Sequence, residues 1–266
     1  MPNSAIDRDI HGVPTYYHDF KMEMAKGLIP DHACVNKFGR NTNVDATKTD
    51  IWDLASQPVR LAPTAARTHA IKSTNVADTP GSGGCWTVRF WGLLDWDTAE
   101  VFHDVTLAGS ESVNTTSDFV IMHRMEAITY GNSGPNIGVI TATAETDGSV
   151  TCQINSGEGQ TQMAIYGIPS TQKFLMGRLY GNMNRAGGAT PLADVSMKYN
   201  TSPQSWSHIF KTKHTFGLSG AGTSALTINY ANPKVFNGPG IIKLEATGST
   251  TNLDVSGGFD GCLYTV

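Results

Sequence analysis

The sequence predicts an all-β protein: two antiparallel β-sandwich units of jelly-roll type, preceded by an extended N-terminal arm with one short helix. Three observations carry that reading. Only 16% of the residues are charged while 28 are Gly and 12 are Pro, the balance of a turn-rich chain rather than a helical one. From about Val59 onward, β-branched and apolar residues recur at period two. Clusters of turn formers separate those runs, among them Pro80-Gly-Ser-Gly-Gly84, Gly131-Asn-Ser-Gly-Pro135 and Asp147-Gly148. No segment repeats at a fixed period, which argues against a β-helix or a propeller.

The arm comes first. Thr15 follows Pro14 and is placed to cap a helix. Tyr17, Phe20, Met24 and Leu28 then fall near one helical face, and Gly27 is a C-terminal stop. A helix of about three turns is too short to stand alone in water, so its apolar stripe needs a surface, either its own domain or a neighbouring subunit. Residues 1–53 also hold 6 of the 19 basic and 8 of the 23 acidic residues, which leaves the later chain comparatively neutral.

The segment Val35–Asp53 is the anchor of the arm. Gly39 allows a backbone turn, Phe38 stands between Lys37 and Arg40, and Ile51-Trp52 is a second apolar anchor. An aromatic beside Arg is the composition of an interface hot spot. The same residues suit a staple between arm and domain within one chain, and the two roles are compatible.

Strands are then expected over 69–74, 86–94, 100–107, 119–130, 137–144 and 150–154. The glycine-rich stretch 155–159 reads as a break between domains. Strands resume over 162–168, 173–182, 193–199, 209–218, 225–230, 241–246 and 261–266. The expected organisation is thus an arm and anchoring segment at 1–58, a first sandwich at 59–156 and a second at 157–266.

Several function classes lose support. A net charge of −4 gives no whole-chain positive field for nucleic acid. No stretch approaches a membrane span of about 20 apolar residues, and the opening residues do not have the form of a secretory signal. The cysteines, Cys34, Cys85, Cys152 and Cys262, stand singly without a zinc-type spacing and are expected to be reduced thiols.

Candidate chemistry is sparse. Asp95 and Asp97 would share a strand face but suit a turn as well, and Glu126 and Glu158 are isolated. Gly217-Leu-Ser219-Gly-Ala221 lacks the second glycine of a nucleophile elbow. His11, His18 and His32 with Cys34 match no ligand spacing, and Asp254 to Asp260 lacks the order of a calcium loop. Trp86, Trp91 and Trp96 fit core packing better than sugar or base stacking. No catalytic residue, cofactor or metal is expected.

Three pieces of the chain resemble a family of virion structural proteins of tailed bacteriophages, especially phages of marine and freshwater bacteria. The first is Asn36-Lys-Phe-Gly-Arg-Asn41 with Val44-Asp45 and Ile51-Trp52-Asp53. The second is Gly159-Gln-Thr-Gln-Met-Ala-Ile-Tyr166 with Ile168-Pro169, Leu179-Tyr180 and Asn184-Arg185. The third is Leu253-Asp-Val-Ser-Gly-Gly-Phe-Asp-Gly261. The resemblance implies a non-enzymatic component of a virion assembled in the host bacterial cytoplasm. Its partners would be other virion proteins, the major capsid protein or neck and tail proteins, with a homo-oligomer, a trimer, as the expected state. A capsid cement or decoration protein is preferred over a neck, tail or baseplate adaptor for fibres. A glycan-degrading or carbohydrate-binding tail protein is the more distant alternative. The residues expected to meet a partner are Tyr17, Phe20, Met24, Lys37, Phe38, Arg40 and Trp52.

Overall fold

The computed structural model describes residues 20–54, 61–184, 190–205 and 209–266, together with the main chain of residues 7–8 and 14–15. The elements run β1 (Asp7–Arg8), β2 (Pro14–Thr15), α1 (Phe20–Ala25), β3 (His32–Val44), β4 (Thr49–Asp50), β5 (His69–Ser73), β6 (Cys85–Leu93) and β7 (Val101–Thr106). They continue β8 (Val113–Asn114), β9 (Ile121–Tyr130), β10 (Ile140–Ala144), β11 (Val150–Ile154), β12 (Ile165–Ile168), β13 (Gln172–Asn184) and β14 (Leu192–Asn200). A 3-10 turn at Pro203–Ser205 leads to β15 (Lys211–Ser219), β16 (Ala225–Asn237), β17 (Gly240–Gly248) and β18 (Leu253–Thr265). The protein is all-β, and its strand pairs are antiparallel.

Among the described residues the strands divide among five sheets. Sheets β11-β10-β5-β8 and β7-β6-β9 supply most of one core, which includes Ile71, Phe90, Phe119, Ile121 and Ile140. Sheets β16-β13-β18-β3 and β12-β17-β14-β15 supply the other, which includes Phe174, Leu179, Val195, Leu244 and Phe259. The fifth sheet is the pair β1-β2.

Core membership divides the chain differently from the expected boundaries at 58/59 and 156/157. Val35, Val44 and Ile51 lie in the core otherwise built by residues 164–263, while Trp52 faces the other core. The segment 155–159 is no free linker: Gly157 N donates to Asn136 O at 3.0 Å, and Ala127 N to Gly159 O at 2.8 Å.

The arm also differs from expectation. The helix covers six residues and starts at Phe20, while Thr15 lies in β2. Gly27 does end it, with φ +71°. Met24 is buried but Phe20 and Leu28 are exposed, so the expected stripe is not one buried face. Gly39 is not at a turn; it sits in mid-strand of β3, opposite Gly257.

Candidate functional site

β3 organises the site. Its residues alternate, so Val35, Lys37, Gly39 and Asn41 point inward while Cys34, Asn36, Phe38 and Arg40 point outward. β18 lies beside it with the complementary alternation: Val255, Phe259 and Leu263 are buried. The sequence is rich in glycine here because main chains approach closely. A Cβ on Gly39 would lie 2.1 Å from Ile51 O and 2.5 Å from Ala164 N, and one on Gly258 would lie 2.2 Å from Lys37 O.

Beneath Gly39, three segments close a ring of main-chain hydrogen bonds. Ile51 N donates to Leu244 O at 2.8 Å, Leu244 N to Ala164 O at 3.0 Å, and Ala164 N to Ile51 O at 3.0 Å. Ile51 and Ala164 face one core; their neighbours Trp52 and Met163 face the other and form a bridge. All three pieces that carry the family resemblance meet at this junction.

The outward face of β13, β18 and β3 is a polar ladder. Arg40 holds Asp254 through two bonds of 2.9 Å, and Asn184 adds a third at 3.1 Å. Asp260 accepts from Arg178 and Asn36, and Ser256 donates to Asn182. Phe38 and Tyr180 oppose Gly258 from either side. Asp254 and Asp260 are therefore held by arginines rather than open to a calcium ion.

Inward of β3 lies a cavity of about 260 Å³ lined by Lys37, Trp91, Glu100, His123, Arg124 and Tyr166 among others. Lys37 donates to His123 O, and Arg124 Nη2 donates to Asn36 O at 3.0 Å. Burial first, and then the Arg124 guanidinium, pull the Lys37 amine from 10.5 down to about 7. His123 Nε2 donates to Glu100 Oε2 at 2.5 Å, and its Nδ1 accepts from Gly167 N at 3.4 Å. Burial lowers the His123 imidazole against the opposing pull of Glu100. Burial works to raise Glu100, but the charge and hydrogen bond of His123, with Lys37 and Arg124, bring it below its ordinary value. Tyr166 is raised well above the usual phenol value by burial first and then by the nearby Glu100.

A partly deprotonated amine, a carboxylate and an imidazole are the parts of acid–base chemistry. Here they are bound to one another and to the main chain, the arrangement of a satisfied internal network. Gln172 Oε1, also at this cavity, is buried without a hydrogen-bond partner.

The expected partner-binding residues separate into groups. Tyr17 lies outside the described residues. Lys37 and Trp52 are corrected to interior positions at 4% and 0% exposure: strand alternation turns Lys37 inward, and Trp52 sits in the core beside the bridge to Met163. Met24 is likewise buried. Arg40 is engaged by Asp254 and Phe38 is half-buried over Gly258, so both act within the chain. Phe20 remains exposed, as does Leu28 of the expected stripe, and beside them Met22 is an exposed large apolar residue absent from the sequence reading. Phe20 packs edge-on to His32, which stacks on Tyr264.

The other candidates resolve locally. Asp95 accepts from Asp97 N at 3.0 Å and Asp97 from Ser170 Oγ at 2.7 Å, both on an exposed turn. Ser219 Oγ accepts from Ala221 N at 3.3 Å. Trp96 is buried and Trp86 Nε1 donates to Ser82 O at 2.7 Å. Among the described residues no group of three His, Cys, Asp or Glu side chains is placed to hold a metal, and no helix is long and apolar enough to cross a membrane. Sequence reasoning missed Glu100, His123 and Tyr166, because they come from strands far apart in the chain and carry no local motif.

No family model matches the sequence, and no curated protein matches it significantly. Among solved structures it aligns with "Structure of infectious bursal disease virus Gx strain" at 10% identity and a TM-score of 0.21, over 94% of this chain and 76% of that one. It also aligns with "Structure of infectious bursal disease virus Gt strain" at 12% identity and a TM-score of 0.19, over 88% and 74% of the two chains. Scores this low do not establish a common fold, so the chain is similar to these structures only in this weak sense.

Proposed function

We propose that this protein is a non-enzymatic structural component of a tailed-phage virion, a capsid cement or decoration protein that joins its neighbours through its N-terminal region. The observation that carries the reading is the junction: the three pieces that resemble phage structural proteins converge there and knit two cores into one body. The paired sheets are read as two β-sandwich-like units, a rigid form suited to a shell. At the cavity His123 and Glu100 bond to each other and Lys37 bonds to main chain, as a structural interior requires, rather than converging on a substrate.

The docking surface is revised from the sequence reading. Lys37, Trp52, Phe38 and Arg40 hold the chain to itself, so partner contact passes to Phe20, Met22 and Leu28. Burying such side chains is worth about 1.5–3 kcal/mol each, less the cost of ordering the segment. A homotrimer on the capsid is the preferred assembly, and a neck, tail or baseplate adaptor would use the same surface.

The test replaces Phe20, Met22 and Leu28 together by Ser in virions that carry the variant in place of the native chain. Thermal unfolding should stay within a few degrees of wild type, and occupancy in purified particles should fall at least tenfold. Normal occupancy with normal stability would refute the docking surface. Imaging the particle assigns the position: density on the capsid lattice supports cementing, and density at the neck or baseplate supports the adaptor.

A further inference from the structure

Cys34 and Cys262 face each other across the β3–β18 pair. The kind of pairing follows from the neighbouring hydrogen bond. Thr265 N donates to Asp31 O at 2.9 Å, which makes 265 and 31 a hydrogen-bonded pair. Counting back along an uninterrupted register, 263 and 33 are again hydrogen-bonded, while 264 and 32 and then 262 and 34 are not. In a non-hydrogen-bonded antiparallel pair the Cα atoms stand about 4.5 Å apart and the side chains lean together. That lies at the near end of the roughly 4.4–6.8 Å range that disulfides span.

The two thiols also share a face and are reachable. Cys34 is exposed and Cys262 half-buried, both on the outward side of the sheet. Burial, and then the neighbouring Cys34, raise the Cys262 thiol, as proximity of the two sulfurs requires. Cys85 and Cys152 differ in kind: both are fully buried, and burial pushes each thiol up to about 12.

We propose that Cys34 and Cys262 form a vicinal dithiol that closes to a cross-strand disulfide by exchange with a small-molecule disulfide such as oxidised glutathione. The more exposed Cys34 thiolate attacks one glutathione sulfur; the new S–S bond forms as the glutathione S–S bond breaks and one glutathione thiolate leaves. Cys262, deprotonated, then attacks Cys34 Sγ and expels the second glutathione. The protein loses two electrons and two protons, and the oxidant is reduced to two glutathione thiols. The bond rivets β3, an edge strand, to the C-terminal strand at the point where the chain arrives from α1. The inference stands on register and exposure and does not depend on the proposed function.

The test uses the native full chain in buffers of graded reduced-to-oxidised glutathione ratio, acid-quenched, denatured and alkylated before peptide mass spectrometry. Two of the four cysteines should lose alkylation together, and the peptides containing residues 34 and 262 should appear as one cross-linked species in the monomer. Cys85 and Cys152 should remain alkylatable. The Cys262→Ser variant, altered at a partly exposed site, should instead accumulate a glutathione adduct on Cys34. A stable adduct on Cys34 in the wild type, a cross-link between two chains, or four free thiols under oxidising buffer would each overturn the proposal.

Discussion

Lys37→Met isolates a lysine that the fold holds away from water against its chemistry. The native state lowers this amine from 10.5 to about 7, a difference worth roughly 5 kcal/mol between its two protonation states. The unfolded chain keeps the proton to about pH 10. Between pH 7 and pH 10 the unfolded state therefore binds more protons than the native state, and stability must rise with pH across that window. Integrated from pH 7 to pH 9, the gain is about 2 kcal/mol. Met has no proton to lose, so the variant lacks this slope. Urea unfolding of both proteins at pH 7 and pH 9 reads the effect as a difference, in which other titrating groups cancel. Wild type should gain about 2 kcal/mol on the variant between the two pH values. At pH 7 the variant should equal or exceed wild type, because an apolar side chain of similar length removes the desolvation cost. A wild-type-minus-variant difference that is flat with pH, or that falls as pH rises, would show that the amine is solvated in solution.

Other residues give predictions of different size. Asp78 is fully buried and accepts from Ser73 Oγ, Cys85 N, Ile137 N and Gly138 N; burial works to raise it, but these four donors hold it below the ordinary carboxylate value. Asp78→Asn should cost roughly 2–4 kcal/mol at pH 7; the wild-type contribution should be complete above about pH 4 and fade as pH falls through the native value, a decline that acid unfolding of the variant should lack. Gly39→Ala places a Cβ against main-chain atoms at 2.1 and 2.5 Å, so it should destabilise by at least about 3 kcal/mol in denaturant unfolding, and an unchanged midpoint would discredit the junction. Arg40→Ala breaks a two-bond pair with Asp254 whose side chains are 39% and 21% exposed, so its cost should be about 1 kcal/mol and should shrink in high salt.

Much of the strand content was legible because half-buried strands announce themselves by alternation. β5, β6, β10 and β11 fall close to the ranges that period two marks out. β3 was not legible, and of β18 only the end, over 261–266, was marked out. Their inward positions include Gly39, Gly257, Gly261, Lys37 and Asn41, residues whose composition suggests turns and solvent rather than a core. Neighbours supplied by the fold explain them: Gly39 meets Ile51 O and Ala164 N, Lys37 bonds His123 O, and Gly257 lies opposite Gly39 more than two hundred positions away. The site was hidden for the same reason. Lys37 reads as a donor for a partner until alternation on a long strand is known, and Glu100, His123 and Tyr166 become neighbours only when β9 and β12 approach the start of β7. Gly27 as a helix stop was readable, because a positive φ is a local demand that glycine meets by itself.

The pairing of β3 with β18 also sets an order in time. Asn36 and Asp260, which bond across the pair, are 224 positions apart. During synthesis β3 leaves the ribosome long before the strand that satisfies its main chain exists. The core fed by β5 to β11 draws nearly all its strands from one continuous stretch, so it can close while the rest is still being made. The other core must wait, with an unpaired thirteen-residue strand open to the wrong neighbour. A glycine, a lysine and an asparagine on its inward face make that waiting strand a poor template for aggregation, so the residues that obscure β3 in the sequence also protect it until its partner arrives.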